Sequence, residues 1–217
     1  MRRAAGFTLI EIVLATALLA AGLVLAYATL RTATGLVQRA EDIAVRTDRL
    51  RAVQGFLRRQ LQVAQPVAFE REVGGPGIVF QGDAGGVRFV GPMPGYLARG
   101  GRHLQELVLV REGDALLLRF EHRLMLDETP IEDPEPRPPE VLLRGIAEAA
   151  FEFRGVEDDG SVGDWERGPW QTPERLPVAV ALRLVLADGS RWPLFEVPLM
   201  MGTHGADGPS VPLEPPP

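Results

Sequence analysis

Glu11 stands out among the charged residues, because it is the sole carboxylate in an apolar run that extends from Phe7 to Leu30. A carboxylate inside hydrocarbon costs roughly a few kcal/mol and is usually paired and functional. Residues 7 and 11 are four apart, so a helix would place them on the same face. We therefore expect Glu11 to pair with a cationic group, on its own chain or on another. The alternative is that Glu11 is hydrated at the membrane surface and has no role.

The other residue types leave little room for catalysis. The chain has no cysteine, which excludes disulfides, thiolate zinc sites, iron–sulfur clusters and cysteine nucleophiles. Neither a G-x-S-x-G motif nor a glycine-rich phosphate loop is present. His103, His122 and His204 are scattered without the spacing of metal ligands, and we expect His122 to be a surface or hydrogen-bonded histidine near a strand. The sequence therefore predicts a protein that is not an enzyme.

One acidic loop has the composition of a cation site. Residues 157–166 read EDDGSVGDWE and could gather oxygen ligands for calcium. The loop lacks the alternating ligand pattern of an EF-hand, so a solvated turn is the favoured interpretation. We expect no cofactor.

The apolar run around Glu11 is long enough to cross a membrane. A helix over residues 7–30 would reach roughly 36 Å, against about 30 Å for the hydrocarbon core of a bilayer. Arg2 and Arg3 precede the run and, by the positive-inside rule, keep the N-terminus in the cytoplasm. The sequence thus predicts a single-pass anchor, with the rest of the chain in the periplasm if the source is Gram-negative.

A cleaved secretory signal is the competing interpretation of this run. Ala26-Tyr27-Ala28 has the small-x-small form of a signal-peptidase site. Against it, Glu11 would interrupt the apolar region of such a signal, and about twenty residues is long for one.

Charge is unevenly distributed along the 217 residues, whose net charge is −6 and mean hydropathy +0.03. Residues 1–65 contain nine Arg and four acids, a net of +5, whereas residues 66–217 contain fourteen Arg and twenty-five acids, a net of −11. The acidic balance argues against nucleic acid as a partner. The pattern indicates a basic stalk followed by an acidic, solvated head.

The N-terminal sequence combines several features in one register. A short basic leader ends in Gly6, Phe7 follows, and a carboxylate occupies the fifth position of the apolar run, in the sequence MRRAAG-FTLIEIVLA. This resembles the cleavage signal of type IV prepilins and type II secretion pseudopilins. The resemblance implies that prepilin peptidase cuts between Gly6 and Phe7 and methylates the new amine of Phe7. It also implies that Glu11 recruits the subunit into a filament by pairing with an N-terminal amine.

Beyond Leu30 the sequence predicts that the same helix continues as an amphipathic segment. Apolar residues recur every seven positions between charged ones, at Leu36, Ile43, Leu50, Leu57 and Ala64. This stripe could form a coiled-coil seam, but we favour packing on the chain's own sheet, because a strand-rich head needs one face covered. Pro66 places the expected helix end near Gln65.

After Pro66 the pattern changes to short strands joined by turns. Hairpin turns are predicted at Gly82–Gly86, Glu112–Asp114 and Ala187–Ser190. Pro130–Pro139 contains five prolines and should be a loop rather than a central strand. The expected strands are Ile78–Gln81, Val87–Val90, Leu107–Arg111, Ala115–Glu121, Phe151–Arg154, Val178–Leu186 and Arg191–Val197, with Gly145–Ala150 ambiguous.

These segments predict an α+β, pilin-like fold, in which a long N-terminal helix, transmembrane and then amphipathic, packs on an antiparallel β-sheet head. The tail is expected to be disordered because it is rich in proline and contains no aromatic residue. The predicted parts are a leader peptide (1–6), a transmembrane helix segment (7–30), an amphipathic helix segment (31–65), a periplasmic β-rich head (66–204) and a disordered proline-rich tail (205–217).

A second resemblance lies in the head. Phe151-Glu152-Phe153 is followed by an acidic loop, by Trp165 and Trp170, and by Leu176-Pro177 before a long apolar strand. This layout resembles the J-type minor pseudopilin of type II secretion, and the two tryptophans are expected to pack at a sheet edge. The absence of cysteine disfavours a type IV pilin, whose head usually carries a disulfide loop.

The J-type resemblance implies an assembly role. Such a subunit joins I- and K-type minor pseudopilins at the tip of a short periplasmic filament and primes polymerisation of the major pseudopilin, and the H type is a further expected partner. The filament would drive folded exoproteins through an outer-membrane channel, and the subunit would be held in the bacterial inner membrane. The alternatives are a minor pilin of a type IV pilus and a signal-anchored periplasmic β-domain that acts as a binding protein.

Overall fold

The computed structural model describes residues 8–71, 75–95, 100–126, 128–131 and 138–200, without the side chains of 32–40 and 42. Gly6, Phe7, His204 and the predicted tail 205–217 lie outside these residues. The described chain forms one helix, α1 (Leu9–Gln62), followed by ten strands. The strands are β1 (Glu70–Arg71), β2 (Gly77–Ile78), β3 (Phe80–Asp83), β4 (Gly86–Pro92), β5 (Arg102–Glu112), β6 (Ala115–Leu126), β7 (Thr129–Pro130), β8 (Glu140–Arg154), β9 (Ala179–Leu186) and β10 (Phe195–Pro198).

The chain divides into two compact units, residues 1–51 and residues 52–217. The first unit contains α1 as far as Arg51. The second unit, which we call the head, contains the last turns of α1 and all ten strands. A single helix and an antiparallel sheet together confirm the predicted α+β class.

The end of α1 lies three residues before the predicted position. No proline interrupts the sequence from Leu9 to Gln62, and the helix ends as the Ala64 amide donates to the Leu61 carbonyl at 3.1 Å. The Gln65 amide then donates to the Val90 carbonyl of β4 at 2.7 Å. Gln65 therefore takes part in the sheet rather than in the helix, as expected for a residue that precedes proline.

The main sheet is antiparallel, with the order β10-β9-β8-β6-β5-β4-β3, and β7 pairs with β6 beside this path. β1 and β2 form a separate two-stranded sheet. β3 to β6 follow one another as hairpins, and the sheet curls so that the Phe151 amide of β8 donates to the Ala84 carbonyl in the β3–β4 turn at 3.1 Å.

All three predicted hairpins are present. The first has a two-residue turn in which the Asp83 carboxylate accepts the amides of Gly85 and Gly86 at 2.7 and 3.0 Å. The other two turns contain a glycine with positive φ, Gly113 at 62° and Gly189 at 80°, a conformation that side-chain-bearing residues rarely adopt. Local turn chemistry therefore accounts for the hairpins.

Several strand boundaries differ from the predictions. β5 and β6 each extend five residues further, β5 at its start and β6 at its end, because they pair with each other from His103↔Leu124 onward. The predicted strand Arg191–Val197 is wrong in its first half, since only Phe195–Pro198 forms a strand and Pro193 cannot donate to a ladder. Pro130 lies in the two-residue β7, and the described remainder of Pro130–Pro139 forms no strand.

The ambiguous segment Gly145–Ala150 is part of the fifteen-residue strand β8. The pairing shifts between Ile146 and Glu148, next to Gly145, whose φ is 69°. Such a bulge breaks the alternation of inward and outward side chains, which is why the sequence pattern was ambiguous.

The core of the head lies between the end of α1 and one face of the sheet. Leu57 and Leu61 of the helix are fully buried, as are Phe89, Leu107 and Leu118 of the strands. The Phe56 ring meets the Phe120 ring edge to face, with 5.0 Å between centroids and an interplanar angle of 82°, an arrangement that aromatic pairs favour.

Candidate functional site

Thr8 and Glu11 cap the N-terminus of α1. The Thr8 amide and hydroxyl each lie 3.2 Å from Glu11 Oε2, and the Glu11 amide lies 3.4 Å from the Thr8 hydroxyl. This reciprocal arrangement is a capping box, in which the first helical amides gain side-chain acceptors. The carboxylate that the sequence marks as a candidate for pairing with an amine thus also caps its own helix.

Sequence reasoning missed this role of Thr8. The signal was available, because Thr-x-x-Glu before an apolar run is the spacing of a capping box, here Thr8 to Glu11. Gly6 and Phe7, the predicted cleavage residues, precede the described residues. The proposed pairing of Glu11 with an amine therefore stays a prediction.

The segment that follows is suited to a lipid environment. Leu9–Arg31 is a stretch of 23 residues in α1 with a mean hydropathy of 2.5, and none of it is buried within the chain. At 1.5 Å per residue it reaches roughly 35 Å, enough for a bilayer core of about 30 Å. Apolar side chains on every side of a helix are satisfied by lipid or by other apolar helices.

The apolar stripe of α1 is buried only in its second half. Ile43 is 66% exposed, Leu50 is half-buried, and Leu57 and Ala64 are fully buried. The side chain of Leu36 lies outside the described residues. Packing on the chain's own sheet, the interpretation we favoured over a coiled-coil seam, is therefore confirmed for the part of the stripe that belongs to the head.

Of the two tryptophans of the J-type layout, Trp170 packs at the sheet edge as expected, whereas Trp165 contacts an inner strand. The Trp170 ring is 6.4 Å from the Phe80 ring of β3, an edge strand, and 6.2 Å from the Phe153 ring of β8. The Trp165 ring lies 4.5 Å from the Arg154 guanidinium carbon in a cation–π contact. Both residues fix the loop after β8 to the sheet.

The acidic loop 157–166 is folded by its own hydrogen bonds. The Glu157 amide donates to the Ser161 carbonyl at 2.8 Å, and Val156 bridges to Val162. Hydrogen bonds from the hydroxyl and then the amide of Ser161 lower the pKa of the Asp159 carboxyl. Among the residues that the structure describes, no group of three or more His, Asp and Glu side chains could hold a metal ion. The expectation of no cofactor remains a prediction.

A charge cluster that sequence reasoning missed lies beside this loop. The Glu152 carboxylate of β8 accepts from Arg167 at 2.5 Å and from Arg183 of β9 at 3.0 Å, and Arg183 also reaches Glu196 of β10 at 3.3 Å. Burial raises the pKa of Glu152, but the hydrogen bonds and charges of Arg183 and Arg167 outweigh it and leave the pKa below its ordinary value. The partners are 15 and 31 residues from Glu152, so no local pattern could indicate them.

The predicted position of His122 on a strand is correct. His122 lies on β6, and its ring centroid is 5.3 Å from that of His103 on β5. His103 is only 3% exposed. Burial lowers the pKa of His103, and the nearby Gly101 carbonyl offsets this in part. His103 is therefore buried in the head, and His122 is partly buried beside it.

The comparisons with known proteins cover both the helix and the head. A model of the prokaryotic N-terminal methylation motif matches residues 1–27. A model of the type II secretion system (T2SS), protein J family matches residues 28–195, well over half of the chain. The chain is also 38% identical over 206 residues to the type II secretion system protein J of Xanthomonas campestris pv. campestris, covering 94% of this chain and 96% of that protein. The chain belongs to the type II secretion system protein J family.

Proposed function

We propose that this chain is a minor pseudopilin that helps form the tip of the periplasmic pseudopilus and primes its assembly for the type II secretion of folded exoproteins. One observation carries the proposal: a lone acid, Glu11, lies at the start of an apolar stretch of 23 residues in α1. The family match over the head adds to it. A pilus minor pilin or a signal-anchored binding domain explains the match to the J family less well.

The anchor supports a single-pass arrangement in the bacterial inner membrane. Arg2 and Arg3 would keep the N-terminus in the cytoplasm, and the head would lie in the periplasm. The leader 1–6 would be removed by prepilin peptidase, so that Phe7 becomes the methylated first residue. The match to a methylation motif over residues 1–27 supports this processing.

Glu11 would act after processing. Its carboxylate is next to Thr8 in the capping box, and Phe7 directly precedes Thr8. A charged amine of Phe7, or that of a neighbouring subunit, would be a stronger partner for the carboxylate than the neutral Thr8 groups, because it adds the attraction between opposite charges. Glu11 would therefore exchange a capping contact for a docking contact when the subunit enters the filament.

The subunit would act by contact and not by catalysis. Its expected partners are the I- and K-type minor pseudopilins, with the H type and the major pseudopilin as neighbours in the filament. The match of the head to the protein J family supports this assembly role.

The processing proposal is tested at the N-terminus. The chain is expressed with prepilin peptidase, and intact-mass and N-terminal sequencing should give a chain that starts at Phe7 and carries one extra methyl group. A Gly6→Val variant should remain uncut. A chain that starts directly after Ala28 would instead establish a secretory signal and contradict the proposal.

The role of Glu11 is tested with a pair of variants that separate charge from capping. Glutamine can still close a capping box, so Glu11→Gln removes the charge and keeps the cap, whereas Thr8→Ala weakens the cap and keeps the charge. We expect Glu11→Gln to lose co-purification with the other minor pseudopilins and Thr8→Ala to keep it. The opposite result would assign Glu11 a structural role alone.

Deletion of the gene distinguishes secretion from pilus function. We expect exoproteins to accumulate in the periplasm and to return to the medium when the intact chain is supplied. Loss of twitching or of DNA uptake, with secretion intact, would favour the pilus alternative.

A further inference from the structure

The outer edge of β3 is covered by a segment that is not a strand. The Val79 and Phe80 amides donate to the Pro173 carbonyl at 2.7 and 3.0 Å, and the Trp170 amide donates to the Gly82 carbonyl at 2.8 Å. These bonds occupy backbone groups with which a neighbouring chain would pair. We call residues 167–173 the edge strap.

The composition of the edge strap prevents it from extending the sheet itself. Its sequence is RGPWQTP, and neither Pro169 nor Pro173 has an amide proton to donate. The Gln171 side-chain amide folds back onto the Pro169 carbonyl at 2.6 Å. The strap therefore occupies backbone hydrogen-bonding groups at the edge of β3, but it does not present a row of amides with which another strand could pair. Natural sheets protect their edges in this way.

The strap is attached at two points. Trp170 packs on Phe80 and Phe153, and its indole Nε1 donates to the Arg175 carbonyl at 2.9 Å. At the start of the strap, Arg167 pairs with Glu152 of β8 at 2.5 Å. The Glu152 side chain is 11% exposed and the Arg167 side chain is 62% exposed, so the carboxylate is largely buried against the sheet and the guanidinium lies at the surface.

The other edge of the main sheet is protected by different means. β10 follows Pro193 and ends with Pro198, and Arg58 of α1 donates to the outward Glu196 carbonyl at 3.2 Å. Among the described residues, proline and one side chain thus protect this edge. Within the described residues, β3 by contrast depends on a separate segment whose attachment includes an exposed ion pair.

We propose that the edge strap guards β3 against pairing with a second copy of this chain, and that Arg167 is the positioning residue that holds the strap in place through Glu152. The chain has no disulfide to close this loop, so non-covalent contacts hold it. The proposal concerns the head alone and does not depend on the secretion role.

The first test is amide exchange in the full-length chain in detergent. Arg167→Ala removes an exposed side chain and leaves the core intact. We expect it to raise the exchange of the Val79 and Phe80 amides by about tenfold, the effect of losing one charge-assisted hydrogen bond. Arg167→Lys should restore most of the protection. The matched control is Arg144→Ala, which breaks an exposed ion pair with Glu112 at 2.7 Å elsewhere in the head.

The second test asks whether the uncovered edge pairs. Gln81 is exposed on β3, and antiparallel pairing of two β3 strands centred on this residue would bring its two copies face to face. Because the chain lacks cysteine, Gln81→Cys supplies a single thiol for a short bis-maleimide crosslinker. We expect crosslinked dimers when Gln81→Cys is combined with Arg167→Ala, and few with Gln81→Cys alone or with Ser190→Cys in the β9–β10 turn.

Three results would overturn the proposal. The first is unchanged exchange at Val79 and Phe80 in Arg167→Ala. The second is an equal rise in the Arg144→Ala control, which would indicate general loosening of the head. The third is faster exchange at Val79 and Phe80 in Arg167→Ala without crosslinked dimers in the double variant with Gln81→Cys. The uncovered edge of β3 would then not pair with a second copy.

Discussion

Two apolar stretches of α1 contain similar side chains in opposite surroundings. From Leu9 to Leu30 the side chains are exposed throughout, whereas Val53, Leu57 and Leu61 are 7%, 0% and 0% exposed. The first stretch is apolar on all sides of the helix. The second has apolar residues on one side and exposed arginines such as Arg59 on the other. The arrangement of the residues, rather than their type, separates the two.

The difference indicates what each stretch requires from its environment. A helix that is apolar all round can be covered only by something that surrounds it, such as lipid or neighbouring helices. A stripe is covered by one face of a sheet, and this chain supplies that sheet itself. Head stability should therefore depend on the second stretch and membrane retention on the first.

The largest expected effect on the head comes from Leu57→Ala. Leu57 is fully buried between α1 and the sheet, so the variant should lower the free energy of unfolding by about 2–5 kcal/mol through lost burial and the remaining cavity. Denaturant unfolding of the full chain in detergent, followed by near-ultraviolet circular dichroism, measures it. Fractionation should find the protein still in the membrane. A head of unchanged stability would contradict the packing described for α1.

The reverse experiment places a charge in the first stretch. Leu19→Arg should cost about 2.5–3.5 kcal/mol in membrane insertion, the value for a charge near the centre of a helix. Alkaline extraction of membranes should release more of this variant than of Leu19→Ile, its conservative control. Since Leu19 is 65% exposed and makes no core contact in the head, unfolding of the head should be unchanged. A lower free energy of unfolding of the head would contradict the separate roles of the two stretches.

A smaller effect is expected from the charge cluster of the sheet. Glu152→Gln should destabilise the head by about 1–3 kcal/mol at pH 7, because Arg183 and Arg167 lose an ionic acceptor. The folded pKa of Glu152 lies below its ordinary value of 4.5, so its contribution is complete above that value. It is lost as the pH falls through the folded pKa. Unfolding at pH 7 and at pH 3 should show the gap between wild type and variant closing, and a gap that persists would assign the effect to packing.

The smallest effect is expected at Ile43, which occupies the same heptad position as Leu57. Ile43 is 66% exposed, so Ile43→Ala should change head stability by less than about 0.5 kcal/mol. The same unfolding measurement serves both variants. If Ile43→Ala impairs co-assembly with other pseudopilins while leaving the head intact, the exposed half of the stripe is a contact for another helix.

Much of the head could be predicted because its signals are local. The alternating apolar residues of β9 and the glycines of the two later turns act over a few positions. The full length of β5 could not be predicted, since His103 and Gln105 are polar and break the apolar pattern. Both are buried, at 3% and 0% exposure, and pairing with β4 on one side and β6 on the other extends the strand through them.

Some residues of the candidate site could be recognised from local sequence, and others could not. Glu11 could be recognised as unusual from its apolar neighbours, and its partner Thr8 was recognisable from a three-residue spacing. The edge strap could not be found, because its bonds join Pro173 to Phe80 and Trp170 to Gly82 across more than eighty residues. Two prolines and a tryptophan in a loop do not indicate which strand the loop contacts or that it covers a sheet edge.

The sequence by itself determined the anchor, the continuation of the helix, the hairpin turns and the family, because each depends on the order of neighbouring residues. Tertiary structure alone decided where the apolar stripe of α1 becomes buried, which acid is held inside the sheet and which edge is covered. These features depend on residues that are distant in sequence and become neighbours only when the sheet forms. Burial and electrostatic pairing act between neighbours in space, so their outcome follows from the fold and not from the local pattern.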